Sequence, residues 1–231
     1  MKKKWSSCIL DFYANTVLAT ELPAGVEALY PYRDDPHIRR MVKAFYTKYY
    51  SDKQSRRLIL GINPGRLGAG ATGIPFTDTK RLEQVCGIAF EHAPTHEPSS
   101  VLVYDVIAAY GGPELFYNDF YISSICPIGF VQRLGTRAVN FNYYDDAAFA
   151  EHLMPELAVL LQQQMEWGIR KEQVIVFGTG QNLKFFETLN ARYRLFAEVI
   201  ALEHPRYIMQ YKQREKMAYI DKYLTVLRSG F

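Results

Sequence analysis

Cysteine is scarce: Cys8, Cys86 and Cys126 are the only three in 231 residues. None forms a C-x-x-C pair, so zinc or iron–sulfur ligation lacks its usual spacing. An odd count fits a reducing compartment better than a secreted one. No apolar run is long enough to span a membrane. Met1-Lys2-Lys3-Lys4 starts like a signal peptide, but Asp11 and Asn15 interrupt the apolar run and no clear cleavage site follows. Excess charge of one sign is also missing. Lys and Arg number 27 against 24 Asp and Glu, a net charge of +3. No global basic field therefore demands nucleic acid, and any polyanion site must be a local patch. Internal repeats, low-complexity tracts and linker-like stretches are lacking too. These absences describe one soluble, intracellular domain over residues 1–231. It is expected in the cytoplasm, or the nucleus of a eukaryote, as a monomer without metal, cofactor or membrane partner.

Aromatic residues are plentiful, with 17 Tyr and 14 Phe, and most of them read as packing. Helical spacing covers residues 6–20, with Ser6 or Ser7 as cap, and Pro36 to Tyr50. A short helix follows over 79–90, with Leu82, Val85 and Cys86 inward. Ser99 or Ser100 caps another that ends at Gly111-Gly112-Pro113. Strand-like runs occur at Leu58–Leu60, Asp119–Ile128, Gln173–Phe177 and Glu198–Leu202. Between the second and third, Arg133–Tyr144 reads as a loop, and Asp145 or Asp146 caps a helix reaching about Trp167. A last amphipathic helix runs from about Tyr211 to Arg228. Strands alternating with helices imply α/β architecture: a three-layer α/β/α domain around a central, mainly parallel four-stranded sheet.

The chain is organised around Leu58–Asp78, LILGINPGRLGAGATGIPFTD. Its glycines permit backbone angles and approaches that a Cβ would block. Pro64 biases Asn63 away from helical angles and fixes it at a strand's C-terminal end, where open α/β sheets place their ligand crevice. Ser124 and His204 end two further strands. Asparagine cannot take a proton but can hold a water. A neutral histidine can donate to an anionic leaving group. Phe76 offers a face on which a nucleobase can stack. Ser124 can meet a ring edge, and backbone N–H groups near Ile62 and Phe76 can meet carbonyl oxygens. The set describes a pocket for a flat, polar heterocycle.

Three motifs carry a resemblance. Gly61-Ile62-Asn63-Pro64-Gly65, continuing to Thr72-Gly73-Ile74-Pro75-Phe76, resembles the G-M-N-P-G and T-G-V-P-F signature of the SMUG-type uracil-DNA glycosylases. Phe120 to Pro127 resembles that family's F-V-H-N-L-C-P strand, and His204-Pro205-Arg206 its H-P-S-P-R loop. The motifs cover directly about a sixth of the chain, and the order of strands and helices matches the superfamily domain. The resemblance implies a monofunctional DNA glycosylase that hydrolyses the N-glycosidic bond of a flipped base. Asn63 would position the attacking water, His204 would stabilise the departing base, and Phe76 would stack on it. Gly65 would leave room at the C5 edge, where stricter relatives place a tyrosine. Ile62 and Ser124 would complete base binding, and Arg66, Arg206, Tyr207 and Lys212 would meet DNA. Ser124 replaces the asparagine that reads the Watson–Crick edge of uracil, which extends the expected bases to xanthine or hypoxanthine; 5-hydroxymethyluracil is a further expected substrate. The segment after His204 lacks the second proline and is expected to probe the DNA.

Two rivals stand beside this reading. Val174–Gly180, VIVFGTG, ends in G-x-G, but the third glycine and the acidic residue of a dinucleotide fingerprint are missing. Gly178 and Gly180 are therefore assigned to a strand–helix turn. The other rival is a non-catalytic DNA- or nucleotide-binding module using the same pocket.

Overall fold

The computed structural model describes residues 3–90 and 93–229. In chain order the elements are α1 (Trp5–Asn15), β1 (Val26–Leu29), α2 (Pro31–Asp34), α3 (Pro36–Tyr49), β2 (Arg56–Gly61), α4 (Ala69–Thr72), α5 (Thr79–Gln84), α6 (Pro98–Tyr110) and α7 (Pro113–Asp119). Then come β3 (Phe120–Ser124), β4 (Gly129–Leu134), β5 (Arg137–Phe141), α8 (Ala147–Met165), β6 (Ile169–Phe177), α9 (Gln181–Tyr193), β7 (Glu198–Leu202), α10 (Pro205–Tyr211) and α11 (Lys216–Arg228). Among the described residues, no helix is long and apolar enough to cross a membrane.

The main sheet has the order β3–β2–β6–β7, and each neighbouring pair is parallel. Every residue of β2 and β3 is buried, as a parallel sheet covered by helices on both faces requires. Parallel strands put all four C-terminal ends on one side. Gly61 pairs with Ser124 and Phe177 with Leu202, so the segments after all four strands emerge side by side. The chain leaves β2 for β3 on one flank and later crosses to β6 on the other. That reversal of direction creates the crevice.

The aromatic residues are mainly packing, as expected. Trp5 lies 5.3 Å from Tyr121 and 6.0 Å from Trp167, centroid to centroid. Arg56 is buried among them, 4.8 Å from the Tyr50 ring. Its guanidinium donates to both oxygens of Asp52 at 2.8 and 2.7 Å and to the Tyr117 carbonyl at 2.8 Å. A buried guanidinium is tolerated because its donors are satisfied.

Several expected boundaries differ. Residues 133–144 are not one loop: β4 and β5 form an antiparallel hairpin, and β1 pairs with β4 in a second, three-stranded sheet. The outer half of this hairpin is exposed, so its polar residues mask the alternation of a strand. Gly135, at φ 62°, opens its two-residue turn, where a type II′ connection needs glycine. Ser6 and Ser7 do not cap α1. The carbonyls of Asp52 and Tyr50 accept from Trp5 and Ser6 N–H instead. Glu97, not Ser99 or Ser100, holds the cap position of α6, and Val85 points outward, 44% exposed. The last helix, α11, starts at Lys216 rather than at Tyr211, after a single 3-10 turn over Gln213–Glu215, and the segment after His204 is the helix α10 rather than a loop. His204 caps α10 and Pro205 takes its first position, where proline's missing N–H costs no bond. Gly178, at φ 114°, turns the chain between β6 and α9, as assigned.

Candidate active site

A cleft of about 310 Å³ opens at the C-terminal ends of the main sheet. Its lining includes Ile62, Asn63, Gly65, Phe76, Ser124 and His204. The three strand ends singled out in the sequence therefore meet in one space.

Asn63 follows β2, and its amide is held from the second sheet. Its Nδ2 donates to the Phe141 carbonyl at 3.2 Å, and its Oδ1 accepts from Tyr143 N–H at 3.4 Å. Each amide atom keeps further hydrogen-bonding capacity, so a fixed amide faces the cleft with the means to hold a water.

His204 follows β7. Its Nδ1 accepts from Arg206 N–H at 3.1 Å. That bond leaves the proton of the neutral ring on Nε2. Burial, with the Arg206 charge adding to it, lowers the pKa to about 4. The ring is therefore neutral at physiological pH and presents an N–H donor.

Phe76 lines the same cleft. Its φ of 51° is the left-handed region, uncommon outside glycine. The Thr72 hydroxyl stabilises this turn: it donates to the Thr77 carbonyl at 2.7 Å and accepts from Ile74 N–H at 3.2 Å. The Phe76 ring packs edge-on against Phe177 at 5.4 Å and lies 5.8 Å from the His204 ring. It rests on Gly61, where a Cβ would stand 2.9 Å from two ring carbons. Glycine at the last residue of β2 is thus what lets an aromatic floor form.

The two adjacent serines part ways. Ser123 donates to Gln164 Oε1 at 2.8 Å inside the core, whereas Ser124 lines the cleft. Arg206 and Tyr207, in the first turn of α10, are exposed at its rim. Arg66 lines an adjoining groove of about 390 Å³ together with Arg137 and Arg206. Lys212 lines neither; its ammonium pairs with Glu215 at 3.0 Å. Arg133, on β4, pairs with Glu27 on the neighbouring β1 at 3.0 Å. His37 and His152 lie away from the cleft, His96 borders the groove, and His92 falls outside the described residues.

Sequence reasoning missed Glu97, Asn140, Asn142 and Tyr144 in the cleft wall. Asn140 sits on β5, so reading the hairpin as a loop hid it. Glu97 is placed by Asp78, whose buried carboxylate caps α5 through Arg81 N–H at 3.0 Å and accepts from Glu97 N–H at 3.1 Å. Burial and the nearby Asp78 charge raise the Glu97 pKa to about 7, against the opposing pull of Arg206.

A neutral imidazole, a fixed amide and an aromatic face around a ring-sized cleft on a parallel α/β sheet describe a base-excising enzyme. The family model of the uracil DNA glycosylase superfamily matches residues 47–228, and the chain belongs to that superfamily, as a SMUG-type member. It is similar to the crystal structure of wild-type SMUG2 from Pedobacter heparinus: 42% identical, TM-score 0.95, covering 98% of this chain and 97% of that one. No curated protein sequence matches the chain. It is therefore a DNA glycosylase of base-excision repair, with DNA as substrate.

Proposed function

We propose that the protein hydrolyses the N-glycosidic bond of uracil in DNA, accepts further deaminated or oxidised bases, and does not cut the strand. The observation that carries this reading is that Asn63 and His204, from strands at different positions in the sheet, line one cleft floored by Phe76. The target base leaves the stack, at a cost of a few kcal/mol, and lies on the Phe76 ring. His204 Nε2–H donates to the base oxygen on which negative charge grows as the C1′–N bond breaks. One such donor contributes roughly 3–4 kcal/mol to the transition state. Asn63 holds the water whose oxygen joins C1′. The water's proton leaves to solvent or the departing base, and the products are a free base and an abasic site. With no carboxylate at position 63 the path is dissociative, through an oxocarbenium-like sugar. No lysine faces the cleft among the described lining residues, which supports a monofunctional reaction without a Schiff base.

Ser124 brings one hydroxyl to the Watson–Crick edge, and a single hydroxyl discriminates less than an amide. Xanthine and hypoxanthine are accordingly proposed beside uracil. Arg66 and Arg206 are proposed to contact phosphates, and Tyr207 to contact the opened stack. The test is incubation with labelled oligonucleotides carrying one of uracil, xanthine, hypoxanthine or 5-hydroxymethyluracil, followed by alkali. Abasic-site formation that falls at least about a hundredfold in Asn63→Ala and His204→Ala is expected. Tight binding with no alkali-labile site would replace this reading with that of a non-catalytic module.

A further inference from the structure

Tyr143 and Asn182 are buried and do not line the cleft, yet they are joined to both sides of it. Tyr143 holds Asn63 through its backbone, since its N–H donates to Asn63 Oδ1 at 3.4 Å. Its phenol donates to Asn182 Oδ1 at 2.8 Å, and Asn182 Nδ2 donates to the Phe177 carbonyl at 3.2 Å. Both ends of the Asn182 amide are engaged, which fixes its orientation. Burial raises the Tyr143 pKa well above its ordinary value, so the phenol stays a donor. Phe177 ends β6, and the turn at Gly178 brings Asn182, in the first turn of α9, back to it. A Cβ at Gly178 would stand 3.6 Å from Asn182 Cβ and 3.9 Å from His204 Cβ. Gly178 N–H donates to the carbonyl of Leu202 at 2.7 Å, at the end of β7 and just before His204. A line of contacts therefore runs from Asn63 to His204 through residues that do not line the cleft.

We infer that Tyr143 and Asn182 are positioning residues, a buried bridge that holds the Asn63 amide in register with the end of the sheet that carries His204. This rests on the reading above that Asn63 holds the water and His204 meets the departing base. The two groups follow different strands and must address one sugar–base bond together. A misplacement of about 1 Å costs about a hundredfold in rate, even when it arises away from the reacting atoms. The Phe141 carbonyl steadies Asn63 from β5, but β5 belongs to the second sheet and does not tie the amide to β6 or β7. The Tyr143–Asn182 bridge supplies that tie. Removing either partner leaves a buried polar atom of the other unsatisfied, so the two act as a unit. The Gly178 turn, which binds no dinucleotide in the reading above, serves the site by letting Asn182 close on Phe177.

The test is single-turnover excision of uracil from DNA at saturating enzyme, where the rate constant does not depend on the folded fraction. Tyr143→Phe removes one hydroxyl and keeps the ring that packs against Phe185 at 4.7 Å. Asn182→Leu removes the amide. Each is expected to slow excision about tenfold or more, while affinity for an oligonucleotide carrying the abasic product changes by less than about twofold. The double variant should be no slower than the slower single one. In an Asn63→Ala background, Tyr143→Phe should cost nothing further, because the residue it positions is gone. Single variants that match the wild-type rate, or a Tyr143→Phe loss that persists undiminished in Asn63→Ala, would overturn the inference. Absence of uracil excision by the wild type would instead overturn the substrate reading on which it rests.

Discussion

Lowering the pH tests the state of His204 directly. Its pKa in the folded protein is about 4, against about 6.5 in an unfolded chain. The folded value is the lower one, so as pH falls the unfolded chain takes up this proton first. Above pH 6.5 the histidine contributes no pH dependence. Between 6.5 and about 4 it removes stability at about 1.4 kcal/mol per pH unit. By pH 5 that loss is about 2 kcal/mol, and it levels off near 3 kcal/mol below pH 4. His204→Gln keeps a polar side chain but cannot titrate. Urea unfolding of both proteins at pH 7.5, 6 and 5 isolates the contribution, since all other groups are shared. The stability difference, wild type minus variant, is expected to fall by about 2 kcal/mol from pH 7.5 to 5. The imidazole C–H resonance of His204 should titrate below pH 5. A difference that stays constant with pH, or a resonance that moves with a midpoint near 6.5, would refute the neutral-donor assignment.

Other substitutions probe the floor, the edge and the core. Gly61→Ala places a methyl 2.9 Å from the Phe76 ring; kcat/KM for uracil should drop roughly tenfold as stacking is lost, and an unchanged value would mean that the ring does not carry the base. Ser124→Asn should sharpen the preference for uracil over xanthine and hypoxanthine, and identical relative rates would rule out a role in base choice. Asp52→Ala leaves the buried Arg56 guanidinium without its carboxylate. Urea midpoints should report a loss of about 2–3 kcal/mol, less than for a fully enclosed pair because Asp52 is partly solvated.

The main sheet was legible because its strands are continuous apolar runs ended by Asn63-Pro64, Ser124 and His204-Pro205. Parallel topology then does the rest, since it forces all those ends onto one side. The hairpin was not legible, because half of each strand faces water and carries Arg and Asn as a loop would. The Gly135-Thr136 pair between Phe130-Val131 and Val139-Phe141 was the available signal. Missing it hid Asn140 and the carbonyl that anchors Asn63. The helix after His204 could have been read from proline at its first position; similarity to a loop motif pointed the other way. Glu97 has no local signature at all. It reaches the cleft only because Asp78, nineteen residues earlier, fastens its backbone.

The bond from Asn63 to the Phe141 carbonyl ties the residue proposed to hold the water to an edge strand outside the main sheet. Neighbours on such a ribbon face opposite ways, so one extra residue between Arg137 and Phe141 would swap inside for outside. The amide would lose its mooring while the parallel scaffold kept its shape. Damage to this protein by insertion could therefore yield a well-folded molecule that still recognises DNA and no longer mends it.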